Sequence, residues 1–321
     1  MKKYLFRITA LFLCLALCLC GCHQPEEPED TTVKLNMNTE YPTASDLPEG
    51  DGRKTKVVIL IGQSNATGCS ITEYLKQNIS AEDYARYESG FPSVLINYCL
   101  DDHRTTSEGD FVNVDLTCGS SEGFFGPEVG MADVLSAAYP DETVVILKYT
   151  MSGYSLHHHW LSAGERGSIY NAFLIFVQTY MNELTEKNYN PELGAICWMQ
   201  GESDTTEFKA SHYYDNQTAF VSYLREDLAP YAKDGIYFID AGISDSPYCE
   251  PAWREINEAK RRFSEQSSFN LYFSTLEMGL TVRNEPVGDP DWGHYDAVSE
   301  LKLGKAFGEA VVQTYRLREN H

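Results

Sequence analysis

Five consecutive apolar residues, Val57-Val58-Ile59-Leu60-Ile61, run straight into Gly62-Gln63-Ser64-Asn65. A stretch that is apolar on both faces and rich in β-branched residues predicts a buried strand of a parallel sheet, covered on each side. The glycine stops the run and polar residues follow. Open α/β sheets place their ligands at the carboxyl ends of their strands, so Ser64 is a candidate nucleophile. Gly, Ser and Asn are also ordinary turn formers, and taken alone the stretch reads first as a strand-ending turn.

Downstream, strand-like and helix-like segments alternate. Strands are expected at Val94–Leu100, Thr143–Tyr149, Ala195–Met199, Ile236–Ala241 and Leu271–Ser274. Helices are expected within Ile71–Tyr87 and at Pro127–Ala138, Ser168–Leu184, His212–Leu228, Pro251–Phe263 and Ala297–Tyr315, with a polar loop over Asp101–Gly123. Such alternation predicts an α/β fold, a mostly parallel sheet between two helical layers, in one domain over residues 51–321.

Before that domain the composition changes. Lys2, Lys3 and Arg7 precede an apolar run from Ile8 to Leu19, which has the length of a signal-peptide core. Leu19-Cys20-Gly21-Cys22 resembles a bacterial lipobox, with Cys22 at the lipidated position. Residues 1–21 are therefore expected to be a lipoprotein signal peptide. Several acyl chains on Cys22 would anchor the chain stably, making it an exported bacterial lipoprotein held at a periplasmic or cell-surface membrane face. Residues 22–50 are acidic and Pro-rich and predict a flexible tether.

With 25 Lys+Arg against 47 Asp+Glu, the formal net charge is −22, which argues against a phosphate-backbone partner, disfavours polyanions, and reads equally as an acidic surface that serves solubility. It suits a neutral ligand such as a carbohydrate or small ester. Of nine cysteines, five lie beyond Cys22: Cys69, Cys99, Cys118, Cys197 and Cys249. None has zinc-site spacing. Cys99 and Cys197 sit in strand-like runs as packing residues, and Cys69 and Cys118 are close enough to predicted site loops to pair.

Serine catalysis needs an imidazole base and a carboxylate that fixes its tautomer. Asp291 and His294 lie three residues apart in the turn-prone run Asp289 to Asp296, just before the last helix. The carboxylate can fold back onto Nδ1 and leave Nε2 for the serine. Gln200, in Cys197-Trp198-Met199-Gln200-Gly201-Glu202-Ser203-Asp204, follows another strand and offers a side-chain amide for an oxyanion hole. Gly126, just before a helix, offers a polarised backbone amide, and the Ser64 amide a third donor. Gly126 reads equally well as a glycine required by its turn. Asn65 either supports the oxyanion side or holds the turn, with Gln63 and Glu202 as further supporting or substrate-binding residues. Glu202 and Asp204 are expected to brace the loop by pairing with Arg254. His157, His158 and His159 are adjacent and cannot converge on one metal ion, so they read as a rim or solvated loop.

Together these stretches resemble the SGNH-type hydrolases, and within them the sialate O-acetylesterase-like branch and carbohydrate esterase family 6, acetylxylan esterases included. The matching blocks fall at Gly62–Asn65, Gly126–Glu128, Lys148–Trp160, Trp198–Asp204 and Asp291–His294. The resemblance implies a three-layer α/β/α sandwich with a flavodoxin-like sheet and deacetylation of a sugar, either an acetylated xylan-type glycan or an O-acetylated sialic acid. It implies Ser64 as nucleophile, His294 as base, Asp291 as its partner, and Ser64, Gly126 and Gln200 as oxyanion donors, with no cofactor. Ser152-Gly153-Tyr154-Ser155-Leu156 departs from the family's usual Gly-Gly-Thr/Ser-Ser-Leu. Two rivals remain: a lipase, thioesterase or aryl esterase of the wider group, and a glycan-binding lipoprotein on a dead scaffold.

Overall fold

The structure, a computed structural model, describes residues 34–43 and 46–319; the expected signal peptide and Cys22 lie outside the described residues. Six parallel strands form the core sheet: β1 (Lys54–Gly62), β2 (Phe91–Leu100), β3 (Val144–Thr150), β4 (Asn190–Met199), β5 (Tyr237–Ala241) and β6 (Asn270–Phe273). Their spatial order is β6-β5-β4-β1-β3-β2. Setting β2 aside, β3-β1-β4-β5-β6 is the flavodoxin-like order, with β2 added outside β3. Two short strands inside the expected Asp101–Gly123 loop, Thr105–Thr106 and Val112–Val114, pair antiparallel with β2.

The helices are α1 (Ser64–Thr67), α2 (Thr72–Asn78), α3 (Ala81–Ser89), α4 (Glu128–Ala138), α5 (Ser168–Glu186), α6 (Glu207–Asp227), α7 (Trp253–Ser264) and α8 (Ala297–Glu319). Parallel strands require crossovers, and right-handed crossovers that advance one way along a sheet leave their helices on one face. Thus α5, α6 and α7 cover one side, where Trp160, Phe173, Trp198 and Phe220 interlock edge-to-face and tilted. The closing helix α8 returns to the other face against α4. That crossing is close because both helices place glycine there. A Cβ on Gly304 would stand 2.0 Å from the Pro127 carbonyl oxygen, and one on Gly130 2.3 Å from that of Leu301.

Strand β1 lies at the centre of the sheet and its residues 57–61 are wholly buried, as their apolar run requires. It ends in register with Thr150 of β3 and Met199 of β4. Gly62 takes φ +151°, and a Cβ there would lie 1.9 Å from the Met199 carbonyl oxygen. Only glycine fits this approach, and it turns the chain out of the sheet at the point where the strand order reverses.

The expected tether needs correction over its later half. Tyr41 is half-buried, donates its hydroxyl to the Ala172 carbonyl at 3.1 Å and stacks on His103. Tyr180 donates to the Pro42 carbonyl at 2.9 Å, Asn38 N–H to Asp102 Oδ1 at 2.9 Å, and Leu47 is buried. The few apolar residues in this polar stretch dock on α5 and on the loop after β2. Among the described residues no helix is long and apolar enough to cross a membrane.

Candidate active site

Ser64 opens α1 immediately beyond β1 and is partly exposed. Its turn is fixed from both neighbouring strands: Gln63 N–H donates to the Met199 carbonyl and Met151 N–H to that of Gly62, both at 3.0 Å. Beneath it lies a buried cation. Lys148 Nζ donates to the carbonyls of Thr67 and Cys118, each at 2.9 Å, and to Glu128 Oε2 at 2.6 Å. Both side chains of this pair are wholly buried. Burial pushes the Glu128 carboxyl upward while Lys148 opposes that shift. A lone lysine in the apolar strand Val-Val-Ile-Leu-Lys-Tyr-Thr was the sequence signal for such a pair.

The expected base and its orienter meet directly. His294 Nδ1 lies 2.6 Å from Asp291 Oδ2, and Asp291 Oδ1 accepts the Gly293 N–H at 2.9 Å. An imidazole that gives its Nδ1 proton to a carboxylate keeps Nε2 as its free nitrogen. Burial disfavours the His294 cation, but interactions with the neighbouring Cys69 and with Asp291 outweigh it and raise the pKa to about 9. Cys69, half-buried in the loop after α1, is a neighbour of His294 that its sequence position did not reveal.

Asn65 joins the two loops. Its Nδ2 donates to Glu202 Oε1 at 2.6 Å and to the Gly293 carbonyl at 3.3 Å, and its Oδ1 accepts the Tyr295 N–H at 3.1 Å. Gln63 adds a second tie, accepting the Ser203 N–H at 3.2 Å. Ser64 and His294 are thus brought together through Asn65, and no hydrogen bond joins their side chains among the described residues.

Two expected oxyanion donors are engaged elsewhere. Gly126 N–H donates to Glu128 Oε1 at 2.9 Å, closing a turn two residues long. Gln200 is fully buried; its Nε2 donates to Asp204 Oδ2 at 2.5 Å and to the Tyr154 carbonyl at 3.3 Å, while its Oε1 accepts from Tyr213 at 3.0 Å. An amide flip would turn Oε1 onto a carboxylate, so the network fixes the orientation. Gly126 and Gln200, expected as donors to a substrate oxygen, thus each have a carboxylate partner close by in the chain. The Ser64 amide, first in α1, has no acceptor among the described residues.

Arg254 does not brace the loop either. It lies exposed beside Glu250, whereas Glu202 is buried against Asn65 and Asp204 accepts from Gln200 and from the Leu156 and His157 amides. His157, His158 and His159 fall in a short π-helical turn, Leu156–Trp160. His157 Nδ1 meets Asn216 Nδ2 at 2.8 Å and His159 Nδ1 meets Ser155 Oγ at 2.9 Å. Burial lowers His159 to about 4. Among the described residues no group of three or more His, Cys, Asp or Glu side chains is arranged to hold a metal ion. Cys69 and Cys118 are both free thiols.

The sequence profile "SASA: Carbohydrate esterase, sialic acid-specific acetylesterase" matches residues 54–313. No curated protein matches this sequence. Among solved structures, NanS is 15% identical with a TM-score of 0.57, covering 84% of this chain and 99% of its own. A protein from Arabidopsis thaliana is 18% identical with a TM-score of 0.53, covering 80% and 98%. A carbohydrate acetylesterase from Xanthomonas citri is 12% identical with a TM-score of 0.53, covering 81% of this chain and 55% of its own. Those likenesses support the sheet order and layers described above. With the profile spanning the whole sheet and both site loops, the chain belongs to the carbohydrate esterase, sialic acid-specific acetylesterase family and is a carbohydrate O-acetylesterase.

Proposed function

We propose that Ser64, His294 and Asp291 perform the deacetylation by covalent catalysis. The observation that carries this reading is the 2.6 Å Asp291–His294 pair held against the turn of Ser64. Catalytic hydrogen bonds often tighten only when substrate is bound, so the unformed Ser64–His294 contact fits a resting site. Ser64 Oγ attacks the acetyl carbonyl carbon and its proton passes to His294 Nε2. The tetrahedral oxyanion faces the Ser64 amide. Collapse breaks the bond to the sugar oxygen, which leaves with the proton from His294. Water, deprotonated by His294, then cleaves the acetyl-serine and releases acetate.

The substrate is an acetyl ester on a sugar hydroxyl, with acetylated xylan-type glycans and O-acetylated sialic acids as the two candidates. Acetate release from both, wild type beside Ser64→Ala, tests the mechanism. Ser64→Ala is expected to lose turnover, and equal release by both proteins would overturn the assignment. Glycan binding with no release from any acetylated sugar would favour a binding module, and preference for long acyl esters would favour a lipase-like activity.

The lipobox-like Leu19-Cys20-Gly21-Cys22 supports a lipid anchor at Cys22 and export to a membrane. Cys22→Ser is expected to move the protein from the membrane fraction to the soluble fraction. Retention in the membrane would overturn the anchor.

A further inference from the structure

We propose that Asn65 is a positioning residue that fixes His294 relative to Ser64 by holding the backbone on both sides of it. This rests on the roles given above to Ser64 and His294. Asn65 is the next residue after Ser64 and is buried, at 2% exposure. Its three polar contacts use both faces of the amide. The Gly293 carbonyl and the Tyr295 N–H, which it binds at 3.3 and 3.1 Å, belong to the two residues that bracket His294. The remaining Nδ2 proton goes to Glu202 Oε1 at 2.6 Å, which stops the amide from rotating away. The orientation is unambiguous: a flipped amide would face Tyr295 N–H with a donor and Glu202 with an oxygen.

Asn65 is not what keeps the loop folded. Glu285 accepts the Ile71 and Ala297 amides at 2.5 and 2.7 Å, Ser70 Oγ donates to the Tyr295 carbonyl at 2.7 Å, and Asp296 N–H donates to the Thr281 carbonyl at 3.0 Å. These bonds secure the ends of the segment. The Asp291–His294 pair is internal to it. Asn65 adds registry: it ties the base's backbone to the residue beside the nucleophile, across 230 positions of sequence. Misplacing a reacting group by about 1 Å can cost on the order of 100-fold in rate.

Two variants read this out. Asn65→Ala removes all three bonds. Asn65→Asp keeps the volume and the acceptor for Tyr295 but sets a carboxylate oxygen against Glu202 and the Gly293 carbonyl. Both are expected to lower kcat by about 100-fold while KM stays within about twofold, since Asn65 is buried and its polar atoms are bonded within the chain. The downfield proton resonance of the Asp291–His294 bond is expected to persist in both. Wild-type kcat in either folded variant would overturn the proposal. So would loss of that resonance with a matching loss of thermal stability, because Asn65 would then be holding the loop and not its register. If Asn65→Ala does not fold, Asn65→Asp carries the test. Activity surviving in Ser64→Ala would instead overturn the nucleophile, whatever Asn65 does.

Discussion

At the residue scale, His294, as the proposed base, is expected to set the pH at which this site works. A general base acts only when neutral, so kcat/KM falls as pH drops through its pKa. Burial alone would lower that pKa, but Cys69 and the Asp291 carboxylate carry it up to about 9, above the ordinary histidine value of 6.5. The acid limb of kcat/KM is therefore expected in the alkaline range. Asp291→Asn and Cys69→Ala are each expected to shift it toward lower pH, as a pH–rate series would read. Asp291→Asn is also expected to lose about 10,000-fold in kcat, because an asparagine favours the wrong tautomer. Of the contacts involved, the Asp291–His294 pair was legible because a carboxylate three residues before an imidazole in one turn can fold back onto it. The partners of Gly126 and Gln200 within the chain were not legible, because a sequence shows a donor and not what it donates to. Glu128, two residues beyond Gly126, and Asp204, four beyond Gln200, hold the two carboxylates that accept. Asn65 was singled out as a support of the site or its turn, but its partners could not be read, since they lie 137 to 230 residues away.

At the element scale, the turn after β1 stands on the buried Lys148–Glu128 pair. Removing one member of such a pair leaves an uncompensated charge in the interior. Lys148→Met is expected to destabilise by about 3–5 kcal/mol in urea denaturation. Replacing both, as Lys148→Met with Glu128→Leu, is expected to recover part of that loss, the remainder reflecting the Thr67 and Cys118 carbonyls that would lose their donor. The α4–α8 crossing makes a second, steric demand. Gly304→Ala is expected to cost at least about 1–3 kcal/mol by overpacking against Pro127, since no flexible side-chain end is there to give way. Segment types were readable from apolar runs and helix-start signals, and most boundaries fell within a few residues. β4 began five residues earlier than expected, at Asn190, because its first turns toward the sheet include Pro191 and Gly194, which read as breakers.

At the scale of the whole molecule, the described residues of the polar stretch before β1 pack onto the body of the enzyme through Tyr41, Pro42 and Leu47. Composition pointed to a tether, yet Tyr41 and Leu47 found apolar partners that no local pattern encodes. Tyr41→Ala is expected to lower stability by about 1–3 kcal/mol without changing kcat, because its contacts are with Ala172, His103 and Phe176 and not with Ser64, Asp291 or His294. The sheet order was likewise beyond the sequence's local signals; it was inferred from the resemblance carried by the site blocks. The position of the proposed base just ahead of α8 carries a consequence for how the enzyme comes alive. Its bond to Asp291 is local, but its meeting with Ser64 waits for the last helix to close over α4. Contacts so far apart in sequence form late because the entropy of closing the intervening chain must be overcome first. A polypeptide halted before residue 297 would carry the strands and the serine with no secured base. Hydrolysis therefore serves as a clock for the final folding event, and on dilution from denaturant its return is expected to trail the recovery of far-ultraviolet circular dichroism.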